Sequence, residues 1–396
     1  MTKARFVYIS FDVVPAPKGA AIHIEAFAKA LAAAFGSLNL VTVSATAEIE
    51  DWGERWPGVA HIALPARGKT LIDRVLFFRQ QLEFWWQGQW FESVQIRSIY
   101  EGFPIALQKS QLCNRLIFEV NGLPSIELKY RYPRLIEDLE LMHKLMTQEQ
   151  ICLRAADLIV TPSSVTRDYL CQLGLSSQHI CVIPNGVDLA LFSYQSPRSE
   201  SVLSPLRLFY FGTLSAWQGV SLAVEALALY CRDFAAELTI VGAARPSQVA
   251  ALNRLAAKLD VASQVTFLDP LPQSELAVRM QEADAIVAPL TPNDRNLVQG
   301  CCPLKVLEGM ASGTPVITSD LPVVNELGTN EVHFLAVRAG SAKAIKDAML
   351  RLRVSPGLRE RLSLAARSRI EQEYTWQRAG RALTTAYRQL VHAPVL

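Results

Sequence analysis

Charge of one sign, paired cysteines and long apolar runs are all missing from this sequence, and each absence narrows what the chain can be. Its 39 basic and 37 acidic residues nearly cancel. Without a global field of the kind that draws a protein to polyanions, a nucleic-acid partner is not expected. The seven cysteines, Cys113, Cys152, Cys171, Cys181, Cys231, Cys301 and Cys302, have no metal-site spacing. An odd number in apolar surroundings predicts reduced thiols and a cytoplasmic setting. The start, MTKARFVYIS, has too short an apolar stretch for a secretory leader, and no uncharged apolar run of roughly 18 residues occurs, so no spanning helix is expected.

What the sequence does have is length and a recurring plan. At 396 residues, half of them hydrophobic, it can bury two ordinary domain cores rather than one oversized core. Short β-rich runs alternate with helical patterns: RFVYIS, LNLVTV, VQIRSI, RLIFEV, DLIVTP and HICVIP, then RLFYFG, ELTIVG, QVTFLD, DAIVAPL, TPVITS and VHFLAV. They are apolar throughout, as expected of parallel strands covered on both faces. Between the two series lies SYQSPRSESVLSP, residues 193–205, whose Ser and Pro content predicts a linker. The expected fold class is α/β: two doubly wound parallel-sheet, Rossmann-like domains facing across a cleft with the carboxyl ends of their strands, the edge at which such sheets bind ligands.

One stretch concentrates the chemistry. NLVQGCCPLKVLEGMASGTPVITSD, residues 296–320, sets glycines, prolines and a cysteine pair around Lys305 and Glu308. It follows an expected strand and enters a helical pattern of Leu304, Leu307 and Met310, ended by Gly313 and Pro315. Pro303 falls at the first helical turn, where its missing N–H costs nothing. Free amides at that turn, beside Lys305, form an anion site suited to phosphate. Glu308, three residues on, projects from the same face and can accept from two vicinal hydroxyls such as those of a ribose. Together these groups describe a nucleotide diphosphate held at both ends. The bland alternative is a surface ion pair worth a few tenths of a kcal/mol. For Cys301 and Cys302, buried thiols at a tight turn stand against redox or metal chemistry, which adjacent cysteines without a second pair rarely perform.

The segment EGMASGTPVITSD resembles the donor-binding segment of the retaining glycosyltransferases of the GT-B fold, the large group 1, family 4 type that uses nucleotide sugars. VIPNGVDLALF, residues 182–192, looks like the segment closing the first domain of these enzymes. YFGTLSAWQG, with Gly212, resembles the Gly loop opening the second, and RAADLIVTPSSVTRDYL resembles the strand and helix before the boundary. The resemblance covers nearly the whole chain. It implies domains at 1–192 and 206–375, a linker at 193–205, and a C-terminal helix, 376–396, returning to the first domain. It further implies transfer of a sugar from a nucleotide-diphosphate sugar to an acceptor hydroxyl, on a lipid-linked sugar, glycolipid or polysaccharide, with retained anomeric configuration. The implied activity is hexosyl transfer without a metal, and the nucleotide sugar is a co-substrate rather than a cofactor.

The departures are specific. The family's first acidic residue, eight before the glutamate, falls here on Gly300, and its basic pair in the Gly loop falls on Thr213 and Gln218. The expectation is that Lys305, helped by Arg295, supplies the missing cation. Gln299, or the backbone around Cys301 and Cys302, would then meet the donor sugar, with Pro303 and Leu304 at the diphosphate. Gln218 either touches phosphate or caps its loop. In the first domain, Gly19 and Ala20 resemble the family's phosphate loop, and His23, Glu119 and Asn121 are candidates for the acceptor side, against packing for His23 and a solvated strand-end charge for Glu119. The lost charges leave an alternative: a catalytically silent sugar-nucleotide-binding partner subunit of a transferase. Finally, DRVLFFRQQLEFWWQGQWF, residues 73–91, is unusually aromatic. It is either a helix packed across the first sheet or a peripheral contact with the inner face of a membrane.

Overall fold

The computed structural model describes residues 5–46, 48–243 and 245–392. The chain forms two compact units: one runs up to Pro184 and takes in Gln299–Cys301 and the chain from Gln377 on; the other holds Asn185–Val298 and Cys302–Trp376.

In the first unit the strands are β1 (Phe6–Val13), β2 (Leu38–Val43), β3 (Glu50–Trp56), β4 (Val59–Leu64), β5 (Phe91–Ile96), β6 (Cys113–Glu119), β7 (Leu158–Thr161) and β8 (Ile180–Val182). They form one sheet in the order β3-β4-β2-β1-β5-β6-β7-β8. Every pair is parallel except β3 with β4. All six expected strands are present, and β3 and β4 are additions that correct the purely parallel expectation. β3, EDWGERW, is largely exposed and closes the sheet with a charged edge, so it lacks the apolar signature of a buried strand. Ile9, Val41, Val94, Ile96, Leu116 and Phe118 carry the core of this unit, each at most 1% exposed.

The helix Leu71–Trp86 accounts for much of the aromatic segment. Thr70 and Asp73 close a reciprocal capping box at its start. Val75, Phe78, Leu82 and Trp86, spaced three and four apart, bury one stripe of it. Phe91 is buried in β5, whereas Phe84 and Trp90 stand 65% and 57% exposed. The packing reading therefore holds for part of this segment, and two of its rings face solvent. No helix among the described residues is long and apolar enough to cross a membrane.

The second unit has six strands, β9 (Leu206–Phe211), β10 (Ala236–Val241), β11 (Val265–Leu268), β12 (Ala285–Ala288), β13 (Val316–Asp320) and β14 (Leu335–Arg338). They run β11-β10-β9-β12-β13-β14, all parallel. The chain winds outward from β9 to β11, then crosses back to β12, so β9 and β12 flank a topological switch point. Residues 193–205 do not hang free. Arg198 donates to both Asp284 carboxylate oxygens at 2.7 and 2.9 Å, and Gln195 N bonds Ser312 O at 3.0 Å, tying this stretch to the second unit. The helix Trp376–His392 belongs, from Gln377, to the first unit. The last four residues of the 376–396 segment lie outside the described ones.

Candidate active site

Loops after β9, β10 and β12 meet at the switch point of the second unit, and glycine makes their approach possible. Gly219 has φ +65, and a Cβ there would lie 1.9 Å from the Pro289 carbonyl oxygen. Gly242, at φ +155, would meet the Gly212 oxygen at the same distance. Backbones this close admit no side chain. Two helices then start without a side-chain cap and without an acidic residue in the first turn: Val220–Cys231 after Gly219, and Leu304–Ser312 after Pro303. Pro303 sits at the N-cap position rather than inside the first turn, and Leu304 is the first helical residue. Their open N-terminal ends leave amide charge for an anion.

Lys305 and Glu308 project from the second of these helices, only 8% and 6% exposed, which excludes a surface ion pair. The Lys305 ammonium nitrogen lies 2.9 Å from Gln218 Oε1 and 3.7 Å from the centre of the Tyr210 ring. A Cβ on Gly212 would stand 3.8 Å from that nitrogen. The cation on the helix thus reaches the Gly loop, and Gln218 turns its amide oxygen onto it. Tyr210 was not legible as a site residue. It lies on β9, fully buried, and its hydroxyl donates to Thr213 O at 2.6 Å, fixing the ring under the amine.

The electrostatics of the pair are unusual. Burial pushes the Glu308 carboxyl up to about 8, against the pull of Lys305. The same burial drives the Lys305 amine well below its ordinary value, against the pull of Glu308. Among the described residues no donor bonds the Glu308 carboxylate. A buried carboxyl with idle acceptors is costly, and a polar ligand offers the partners it lacks.

The stretch before this helix behaves differently from expectation. Arg295–Gln299 forms a π-helical turn, in which the Arg295 guanidinium lies 6.0 Å from the Trp217 ring. Gln299 is fully buried in the first unit, where its amide oxygen accepts from Leu123 N at 2.9 Å and its nitrogen donates to Glu127 Oε1 at 3.0 Å. Both ends of that amide are thus occupied by protein groups. Gly300, at φ +83, packs so closely on Ser163 and Thr166 that a Cβ would lie within 2.8 Å of each. The site of the family's carboxylate therefore has no room for a side chain in this geometry. Cys301 is half-buried, and the buried Cys302 accepts at its carbonyl from Asn185 Nδ2 at 2.8 Å. Neither cysteine is in a disulfide, and among the described residues no cluster of three or more potential ligands could hold a metal ion.

In the first unit, β1 and β5 flank the corresponding switch point. Gly19 and Ala20 open the helix Gly19–Phe35, which has no side-chain cap and no acid in its first turn. His23, one turn on, is buried with Nε2 2.8 Å from Glu119 Oε1. Glu119 is not a strand-end charge in solvent. At 1% exposure, its Oε2 accepts from Tyr8 at 2.5 Å and Gln95 at 2.7 Å, and its Oε1 from Arg97 at 2.9 Å and from Asn121. Burial raises its pKa, yet His23 and Arg97 beside it hold it well below the ordinary carboxylate value. With its lone pairs filled by protein donors, Glu119 organises the sheet edge, which corrects the reading of a solvated strand-end charge. Arg97 extends the network outward to Asp12 Oδ2, 2.7 Å away and 42% exposed, at the end of β1. Tyr387 closes it from the C-terminal helix, donating to Gln95 Oε1 at 2.6 Å.

Two doubly wound sheets, each with open helix N-termini at its switch point, and one with a buried lysine and carboxyl there, define a protein built from nucleotide-binding folds. Family models agree along most of the chain: Glycosyltransferase Family 4 over residues 17–191, and Glycosyl transferases group 1 over residues 205–353. The chain belongs to the group 1, family 4 glycosyltransferases. It is similar to a glycogen synthase of Mycobacterium tuberculosis, 28% identical over 60% of this chain and 56% of that protein. The match thus spans little more than half the length of that relative. Among solved structures it resembles sucrose-phosphate synthase (tll1590) from Thermosynechococcus elongatus, with a TM-score of 0.80 at 21% identity, covering 98% of this chain and 100% of that one. It also resembles Anabaena Alr3699/HepE in complex with UDP-glucose, with a TM-score of 0.74 at 14% identity over 97% and 99%. At such identities these structures establish the fold, which is GT-B.

Proposed function

We propose that the chain moves a hexosyl group from a nucleotide-diphosphate sugar to an acceptor hydroxyl with retention of configuration, the donor bound at the second unit's switch point. The observation that carries this reading is the buried Glu308 carboxyl, without a donor, one helical turn from the buried Lys305 amine. A donor nucleotide completes both. Its diphosphate favours the charged ammonium, and vicinal ribose hydroxyls favour the charged carboxylate. The neutral pair and the charged pair hold the same number of protons, so binding can charge both groups by moving one proton between them. Lys305 and the amides at the start of Leu304–Ser312 then face the diphosphate as negative charge builds on it during departure, which is where stabilisation accelerates the reaction. That arrangement supplies the positive charge without asking for a divalent ion. A departing phosphate oxygen takes the proton of the incoming hydroxyl, in keeping with the family, and no protein nucleophile is assigned.

The first unit takes the acceptor, a polysaccharide, glycolipid or lipid-linked sugar, at the edge shaped by Asp12, Arg97 and the start of Gly19–Phe35. The UDP-glucose complex of the Anabaena relative makes a uridine diphosphate sugar the first donor to try. The test is a panel of uridine, guanosine and adenosine diphosphate sugars, read as slow hydrolysis without acceptor, together with nucleotide affinity by calorimetry. Wild type should turn over one donor, and Lys305→Ala should lose at least about tenfold in affinity for its nucleotide, the worth of one charge-assisted contact. Unchanged affinity in Lys305→Ala would remove the proposed site. Tight binding by wild type without any turnover would favour a silent binding subunit instead.

A further inference from the structure

A second cavity, of about 1000 Å³, lies wholly in the first unit among the helices Leu71–Trp86, Pro124–Arg131 and Leu139–Ala155. Its walls are hydrocarbon: Ile72, Val75 and Leu76 from the first helix, Leu128 from the second, Leu141 and Leu145 from the third. Ile72 and Leu76 remain 53% and 57% exposed. Leaving such side chains in water forgoes the stabilisation that their burial would bring. Arg79 also lines the cavity, but its guanidinium is already spent on protein, donating to Tyr100 O at 2.6 Å, Ile99 O at 2.7 Å and Gln148 Oε1 at 2.9 Å.

The rim has one sign. Lys69, Arg131, Arg134 and Lys144 stand there against a single carboxylate, Asp138, which caps the third helix by accepting from Leu141 N at 2.9 Å. Of these four cations, only Lys144 meets a carboxylate among the described residues, Glu140 at 2.5 Å. An apolar hollow ringed by cations complements a hydrocarbon chain that ends in an anion. The hollow is concave and walled by separate helices. A helix that merely lies on a bilayer presents a convex stripe, so this shape suits one chain rather than a membrane surface.

We propose that this cavity takes the hydrocarbon chain of a phosphate-bearing lipid, with the phosphate at the Lys69, Arg131 and Arg134 rim. Resting on the transferase reading, the inference specifies the acceptor as lipid-linked. The helix Pro124–Arg131, which supplies Leu128 and Arg131, begins five residues after the end of β6, the sheet edge assigned to the acceptor. A chain seated here anchors a head group toward that edge.

The test uses the full chain without any donor sugar, so its outcome is independent of turnover. Dodecyl phosphate below its micelle concentration is titrated by calorimetry, beside dodecyl maltoside and inorganic phosphate. Dodecyl phosphate should bind saturably at one site, at least about tenfold tighter than the maltoside, while inorganic phosphate gives no saturable signal. Leu76→Asp should weaken both detergents about tenfold or more. The rim pair Arg131→Ala/Arg134→Ala, exposed enough to leave folding intact, should bring dodecyl phosphate down to the maltoside's affinity and leave the maltoside unchanged. No saturable binding of dodecyl phosphate by wild type, or equal binding by wild type and both variants, overturns the inference. Cosedimentation with phosphatidylglycerol vesicles, without binding of the free alkyl phosphate, overturns it too and gives this face to a membrane surface. If dodecyl phosphate binds while no nucleotide sugar turns over, the transferase reading fails and the cavity stands.

Discussion

Replacing Glu308 by glutamine should make the ligand-free protein more stable and donor binding weaker. The carboxyl is 6% exposed and burial holds its pKa at about 8, against an ordinary value of 4.5. A group whose folded value lies above its unfolded value binds more protons when folded, so its contribution is fully present below about 4.5 and is lost as pH rises through about 8. At roughly 1.4 kcal/mol per pH unit, an isolated acid of this kind would cost about 3 kcal/mol by pH 7. The Lys305 partner opposes that loss, so about 1–3 kcal/mol is expected in practice. Glutamine keeps the shape and removes the titration. Each kcal/mol moves the melting temperature of a domain this size by about 2–4 °C. Glu308→Gln should therefore melt several degrees above wild type at pH 8, and the gap should shrink toward pH 5. Differential scanning fluorimetry across that range gives the curve, and calorimetry with the cognate nucleotide gives the accompanying loss of affinity. A variant that melts below wild type at every pH, or a gap that does not widen as pH rises, would refute the claim that this carboxyl is held at a cost for a ligand.

Two further substitutions probe the scaffold around the site. Gly36 and Gly219 share positive φ, +86 and +65, but a Cβ meets nothing within 4 Å at the first and a carbonyl oxygen at 1.9 Å at the second. Gly36→Ala should cost about 1 kcal/mol in urea unfolding and Gly219→Ala clearly more, roughly 3 kcal/mol or failure to fold, with equal costs contradicting the close approach. In the first unit, Tyr8→Phe removes a hydrogen bond to a buried carboxylate and Tyr387→Phe one to a neutral amide. The first should cost about 1.5–3 kcal/mol and the second about 1 kcal/mol, and the reverse order would show that Glu119 is not the charged centre of that network.

The fold was legible where burial and periodicity coincide. All twelve expected strands carry apolar runs that become parallel strands, nine of them inside the sheets and three, β8, β11 and β14, at the edges. β3 was hidden because an exposed edge strand needs no apolar face, and the sequence EDWGERW has the look of a loop. Lys305 and Glu308 stood out because Gly300, Pro303, Gly313 and Pro315 punctuate the chain around a single short helix. Their neighbours did not, since Tyr210 and Gln218 come together with Lys305 only when β9 and β12 lie side by side. Glu119 was misread for the same reason. Its partners Tyr8, Gln95 and Arg97 lie between 22 and 111 residues away, and no local pattern says that β1 and the end of β5 will aim them at one carboxylate on β6.

The two carboxyl groups at the switch points show how satisfaction separates scaffold from site. Glu119 is as buried as a side chain can be, yet an arginine, a histidine, a tyrosine and two amides bond it, and it stays charged. A ligand could add little there, and removing the carboxylate would take a buried partner from Tyr8, Gln95 and His23 and leave Arg97 with Asp12 as its carboxylate. Glu308 is nearly as buried, has no donor among the described residues, and is pushed toward the neutral form. Folding alone gives no reason to place it so, because an apolar residue of the same size would relieve the strain on both it and Lys305. The strain has a physical use only if something arrives to charge the pair. A diphosphate with two hydroxyls at one end has the charge and the donors to do so, and the stability of Glu308→Gln against its nucleotide affinity measures both halves of that statement in one protein.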